Sequence, residues 1–270
     1  MHRSRPAVGG RVRPVSDRAA LLAASGHDPF VRFELDPGAG GGAPVRGWAG
    51  RGAWAFLRPR PPGLGGHTLT ALGAPEAVGP LVAEVVPLLG ADVGWVTMTR
   101  GAALPPQAGD GDDWDWFWTR QQPQPQPGEG RVVALPDDAA VRAEVAALLQ
   151  RASPRHSARP GRPGVLGWAG IRDGAGRLVA CAAHTENVPG VPHLASVATD
   201  PVQRGRGLGA AVTAALTRRL LAAGAPAVTL GMYADNDVAR RLYARLGFVR
   251  EHALSSRRLS RPPHGERRDG

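Results

Sequence analysis

The chain has 270 residues and a mass of 28.2 kDa, room for one large domain or two modest ones with real cores, which excludes a peptide, a knotted miniprotein and a bare tail. Its 37 Gly and 26 Pro, set against 43% hydrophobic residues, predict a globular protein with long loops. The net charge of +10 raises nucleic acid or an acidic membrane as a partner, but much of it sits at the two ends and every basic residue is Arg. It therefore reads as basic tails and a coding bias more than as a phosphate-binding face.

Residues 1–18 carry five Arg and one Asp and read as a basic flexible tail, with no apolar run of a secretory leader. An N-terminal α/β domain is expected over 19–120. In it, 45–50 and 53–57 read as strands around Arg51-Gly52, and 67–72 as a third strand. Residues 75–89 form a helix with Val78, Val82, Val85 and Leu89 on one face, which Pro87 should kink or end early. A strand follows at 95–99. As a strand, Trp114-Asp115-Trp116-Phe117-Trp118 would put three Trp on one face, either as packing between the two halves or as an aromatic wall for a substrate. Gln121 to Gly130 alternates Pro with Gln and reads as a semi-extended linker.

After it, Asp137 is the expected cap of a helix with Val141, Val145, Leu148 and Leu149 in a stripe. Strands at 165–172 and 177–184 flank Asp173-Gly174-Ala175-Gly176 as a hairpin. Cys181, the one cysteine, excludes an intramolecular disulfide and a cysteine-built zinc site; it reads as a small packed hydrophobe in a reducing cytoplasm. A strand at 193–199 leads through 200–210 into a helix with Val212, Leu216 and Leu220 in line. Strand 227–233, a helix over 238–246 stopped by Gly247, and strand 248–253 complete the domain, leaving 254–270 as a second basic tail. No stretch approaches the ~18 uncharged apolar residues of a membrane helix. The class is mixed α/β, one sheet with helices on both faces, preceded by a smaller α/β domain.

The chemistry concentrates in Asp200-Pro201-Val202-Gln203-Arg204-Gly205-Arg206-Gly207-Leu208-Gly209-Ala210. Glycines at alternate positions let successive N–H groups converge on an anion at the start of the next helix, and a diphosphate is the natural occupant; the plain alternative is a Gly-rich turn. Gly205-x-Gly207-x-x-Ala210 also fits a dinucleotide fingerprint. Against an oxidoreductase, Asp200 to Arg204 separate the strand from the first glycine, and Asp235 and Asp237 come later than a ribose contact ~20 residues on would require.

Read as Arg204-x-x-Gly207-x-Gly209, the segment resembles the acetyl-CoA pyrophosphate loop of the GNAT superfamily of N-acetyltransferases. Asn236, Tyr243 seven residues later and the closing Gly247-Phe248 resemble its second signature. The resemblance covers residues 131–253 and implies the GNAT fold there, with a degenerate GNAT-like half before the linker as one reading of 19–120. It implies acetyl-CoA as co-substrate, bound by Val197, Ala198, Thr199, Arg204, Gly205, Arg206, Gly207, Leu208, Gly209, Ala210 and Asn236, with Tyr243 protonating the CoA thiolate. The bland readings are a helix cap for Asn236 and core packing for Tyr243. For the general base, Glu186 is favoured, then His193, with His184 nearby and a water chain as alternative. Neither metal nor covalent intermediate is required. The partner expected is a small-molecule or peptide amine rather than nucleic acid or membrane. The competing class is a catalytically silent CoA-sensing or nucleic-acid-binding module on the same fold.

Overall fold

Residues 12–36, 44–50, 52–60 and 65–260 are described by a computed structural model, in which the chain divides into two units, Met1–Trp114 with His252–Gly270, and Asp115–Glu251. In the first, chain order runs β1 (Arg13–Val15), α1 (Arg18–Ala24), α2 (Pro29–Glu34), β2 (Gly47–Gly50), β3 (Ala53–Pro59), β4 (His67–Gly73), α3 (Pro75–Val85) and β5 (Val93–Thr99). Strands β1 to β4 pair antiparallel in sequence order, and β4 and β5 run parallel with α3 as the crossover. One apolar face of α3, Val78, Leu81, Val82 and Val85, is buried against the sheet with Leu69, Ala71, Val96 and Met98. The helix ends at Val85 and a single 3-10 turn carries Pro87, which has no N–H to continue the ladder.

Strand β6 (Ala108–Thr119) carries the chain into the second unit. There follow β7 (Val133–Leu135), α4 (Ala139–Ala152), β8 (Val165–Arg172), β9 (Leu178–Val188), β10 (Val191–Thr199), α5 (Leu208–Ala222), β11 (Val228–Tyr233), α6 (Asp237–Arg245) and β12 (Val249–Leu259), which leaves the unit after Glu251. The strand order in this unit is β6-β11-β10-β9-β8-β7. Alternation along the strands builds two cores: Ala180, Ala182 and Leu194 face α5, while Cys181, Ala183 and Ala195 face α4. Gly176, at φ 80°, closes the hairpin between β8 and β9, and Asp173 Oδ1 accepts from the N–H groups of Ala175 and Arg177.

Several boundaries differ from the sequence-based expectation. The first tail was drawn to residue 18, yet Val15 is buried in β1 and Asp17 accepts from the Ala20 N–H as the cap of α1; residues 1–11 of that tail lie outside the described ones. The second was drawn from 254, yet Leu254 is fully buried and Leu254 to Arg258 pair with β5; residues 261–270 lie outside the described ones. In both places the Arg count hides isolated inward-facing apolar residues. The second unit opens inside the Trp-rich run, not after the linker. Gln121 to Gly130 belongs to it, because Glu129 accepts from the Gln126 N–H and pairs with Arg218 of α5. Asp138, not Asp137, caps α4, Asp137 being paired with Arg142.

Candidate active site

Strands β10 and β11 run parallel but pair at only two positions, His193↔Thr229 and Leu194↔Leu230. Beyond these, β10 continues to Thr199 and β11 to Tyr233, so the strands part over 195–199 and 231–233. The cause lies in β10. Its register with β9 shifts between Ala195 and Ala198, and Ser196 adopts φ 51°, a left-handed conformation costing a non-glycine residue about 1–3 kcal/mol. The Ser196 hydroxyl holds this kink by accepting from the Ala158 N–H at 2.9 Å and donating to the Ala158 carbonyl at 3.0 Å. The same loop reaches β11, where Arg155 lies 4.1 Å over the Tyr233 ring, donates to Asp235, and accepts from the Tyr233 hydroxyl on its carbonyl. Ala198 and Thr199 are thus held by β9 on one side, through Ala198↔Cys181 and Thr199↔Ala180, with Val197 inside the register shift, and among the described residues no strand pairs with 197–199 on the other side. That edge can pair with an extended ligand arm.

Directly after this edge, Asp200 Oδ1 accepts from the Val202 N–H and starts a 3-10 turn over Pro201–Gln203. Gly205 and Gly207 follow at φ 77° and 73°, with nothing within 4 Å of a would-be Cβ; conformation, not space, demands glycine there. At Gly209 a Cβ would stand 3.3 Å from Thr199 Oγ1, a tight contact admitted only if the threonine side chain shifts by a few tenths of an ångström. Among the described residues no acceptor takes the N–H groups of 205–207, and Gly207 caps α5 without a side chain. With the first-turn N–H groups of Leu208, Gly209 and Ala210, they form a cradle of open donors at the positive end of a 15-residue helix, a fit for a diphosphate. Arg204 stands apart from this set, donating to the Ala152 carbonyl at the end of α4.

Asn236 caps α6, its Oδ1 accepting from the Ala239 N–H at 3.1 Å; the amide NH2 is a second, separate donor. Tyr243 lies in the same core as α5, its ring between Phe117 at 5.9 Å and Phe248 at 6.0 Å. Burial pushes its phenol up to about 12, which keeps the proton on the oxygen at any physiological pH. A packed ring with a retained proton is compatible with both readings of Tyr243.

The three base candidates fall on two sides of the sheet. Facing residues share a side and neighbours alternate, so Leu194↔His184 and His193↔Thr185 place His184 and His193 on opposite faces. His193 Nδ1 is 2.9 Å from Thr229 Oγ1, on the rung before the strands part. His184 lies on the rung with Leu194 and Leu230, the last before the opening, on the α5 face that also holds Tyr243. Glu186, two residues on, keeps a carboxylate oxygen 3.9 Å from His184 Nε2 and accepts from the Gly190 N–H. Burial lowers the His184 pKa, with Glu186 opposing, and among the described residues its buried Nε2 has no hydrogen-bond partner. Sequence reasoning named Glu186 and His193 ahead of His184, whose claim rests on strand pairing that no local pattern announces. The Ser196 kink carries no glycine or proline signal either.

The profile of the Acetyltransferase (GNAT) family matches residues 131–248. A mycothiol acetyltransferase of Kocuria rhizophila is 38% identical over 90 residues, 33% of this chain; the match spans about a quarter, 26%, of that protein's length. In fold, the chain is similar to a GNAT-family acetyltransferase from Novosphingobium aromaticivorans, with a TM-score of 0.52 and 23% identity over 90% of this chain and 97% of that one. It is also similar to a GCN5-related N-acetyltransferase from Kribbella flavida, with a TM-score of 0.50 and 19% identity over 92% of this chain and 98% of that one.

Proposed function

We propose, from the premise that residues 131–248 form a GNAT acetyltransferase domain, that this chain moves an acetyl group from acetyl-CoA to a primary amine by direct attack in a ternary complex. The observation that carries the reading is the continuity of the free edge at 197–199 with the N–H cradle at 205–210: together they can hold an extended arm ending in a diphosphate.

Bound acetyl-CoA supplies the acyl group already activated as a thioester. The chain's part is to orient it, take a proton from the amine and return one to the sulfur. In this reading the cradle takes the diphosphate, and the Asn236 amide donates to the cofactor. The pair His184 and Glu186 accepts the proton: the buried imidazole is neutral at pH 7, its free Nε2 is an acceptor, and Glu186 is placed to stabilise the imidazolium. His193 is the second candidate. Tyr243, holding its proton well above neutrality, donates to the thiolate as it departs.

The acceptor of the mycothiol acetyltransferase relative is the first to try, ahead of polyamines, amino acids and peptide N-termini. We place the reaction in the cytoplasm, where acetyl-CoA is made; no helix among the described residues is long and apolar enough to cross a membrane.

Thiol release from acetyl-CoA with a panel of such amines tests the activity. Tyr243→Phe keeps the ring between its two Phe neighbours, so melting temperature and acetyl-CoA affinity should hold while kcat falls by ~10²-fold or more. Wild-type kcat in that variant, with product release shown not to limit, returns Tyr243 to packing alone. Binding of acetyl-CoA with no turnover of any amine would leave the silent CoA-sensing module as the reading.

A further inference from the structure

The GNAT profile starts at residue 131, yet α6 is gripped by a strand that precedes it. On β6, Asp115 and Phe117 are two residues apart and share a face. Phe117 packs on the Tyr243 ring. Asp115, with a side chain wholly shielded from solvent, receives Arg240 Nε at 3.2 Å and has Arg250 Nη1 at 3.6 Å. Arg240 is one helical turn before Tyr243. The same guanidinium also donates to the carbonyl of Ala234 and to Asp237, so it ties β6, the end of β11 and the first residue of α6 together. A buried carboxylate is tolerable only while paired, which makes this geometry stiff: Asp115 cannot lose Arg240 cheaply, nor can the 234–237 turn drift without breaking the contact.

We propose that Asp115 is a positioning residue for acetyl transfer, setting through Arg240 the rotation and height of α6 and with them where the Tyr243 hydroxyl points. The inference rests on the acetyltransferase reading above. It makes the strand outside the family-matched region part of the catalytic apparatus, while the diphosphate cradle on α5 is built without it.

The test is steady-state kinetics of the full chain with acetyl-CoA and the best amine of the panel, for Asp115→Asn, Arg240→Gln and each combined with Tyr243→Phe. Arg240→Gln leaves the buried Asp115 carboxylate with Arg250 alone, so if that variant fails to fold the double variant Asp115→Asn/Arg240→Gln, which leaves no buried charge to pair, serves in its place. We expect kcat to fall roughly tenfold in either single variant with KM for acetyl-CoA changed less than about twofold, and little further loss on adding either to Tyr243→Phe, since residues acting through one step are non-additive. An unchanged kcat in a folded variant, or a loss that multiplies fully with that of Tyr243→Phe, overturns the inference while leaving the enzyme reading intact. A wild-type chain that turns over no amine overturns both.

Discussion

The two units present nearly the same order of elements: a short strand, a helical segment, three antiparallel strands, then a helix leading into a strand parallel to the third. They differ where β4 and β10 end. In the first unit β3 and β4 pair without a break from Ala53↔Gly73 to Pro59↔His67, and β4 and β5 stay paired up to Ala71↔Met98. Ala74 alone then joins β4 to α3, whose first residue, Pro75, has no N–H. In the second, the Ser196 kink unzips the parallel pair and eight residues, Asp200 to Gly207, intervene before α5. The fold alone therefore makes no ligand groove. The free edge arises from one bulge at the end of β10 and one glycine-rich connection; in the first unit the one register shift, between His67 and Thr68, lies at the start of β4, and among the described residues β4 runs directly into α3.

The largest effect should come from a cut made as though both ends were tails. A chain of residues 19–252 loses β1 and the part of β12 paired with β5, including fully buried Leu254, and should lose cooperative unfolding of the first unit in calorimetry. A chain of residues 12–260, which keeps both strands, should melt within about 2 °C of the full one, a change of about 1 kcal/mol or less. Equal stability of the two would mean the first unit does not need its outer strands.

Next in size is the cradle. Gly207→Val forces a β-branched residue into φ 73°, so acetyl-CoA affinity by calorimetry should fall at least ~10-fold, whereas Gly207→Asn, which tolerates that conformation, should lose much less. Equal losses would implicate side-chain bulk instead of backbone shape.

Ser196→Gly keeps the left-handed φ and deletes the tie to Ala158. The relief of the φ 51° strain and the loss of the two hydrogen bonds should nearly cancel, leaving stability within about 1 kcal/mol of wild type with a few-fold loss in acetyl-CoA affinity, whereas Ser196→Ala keeps the strain and loses the bonds, at about 1–2 kcal/mol. Should Ser196→Gly bind as wild type does, the kink holds itself and the Ala158 clamp is incidental.

The smallest effect is a shift along the pH axis. Burial holds the folded His184 below its ordinary value of 6.5, so the imidazole stays neutral until more acid pH than a free histidine would. As pH falls below 6.5 the unfolded chain takes up the proton first, and stability declines toward the lower folded value. If His184 is the base, the acid limb of kcat lies below 6.5 and is moved by His184→Gln; Tyr243, near 12, contributes no alkaline limb in the working range. An acid limb unmoved by His184→Gln passes the role to His193.

What the sequence made legible was local. Gly205, Gly207 and Gly209 announce the cradle through spacing, and Val212, Leu216 and Leu220 announce α5 through period. Helices α1 and α2 went unread because each is under two turns or little more, although Asp28-Pro29, with Asp28 accepting from the N–H groups of Phe30 and Val31, is a start signal. The parting of β10 from β11, the sorting of His184 and His193 onto opposite faces, and the grip of Asp115 on Arg240 all depend on which residue lies across from which. No period or composition encodes that pairing.

Cys181 lies in the core between the sheet and α4, fully buried, and its surroundings push the thiol up to about 12. At pH 8 roughly one molecule in ten thousand would carry a thiolate even if a reagent could reach it. An aromatic disulfide reagent added to the reaction therefore counts CoA thiols against a protein that is optically silent. Left longer with substrate absent, the same reagent becomes a clock: each slow turn of colour marks a molecule whose sheet has opened enough to show its one thiol.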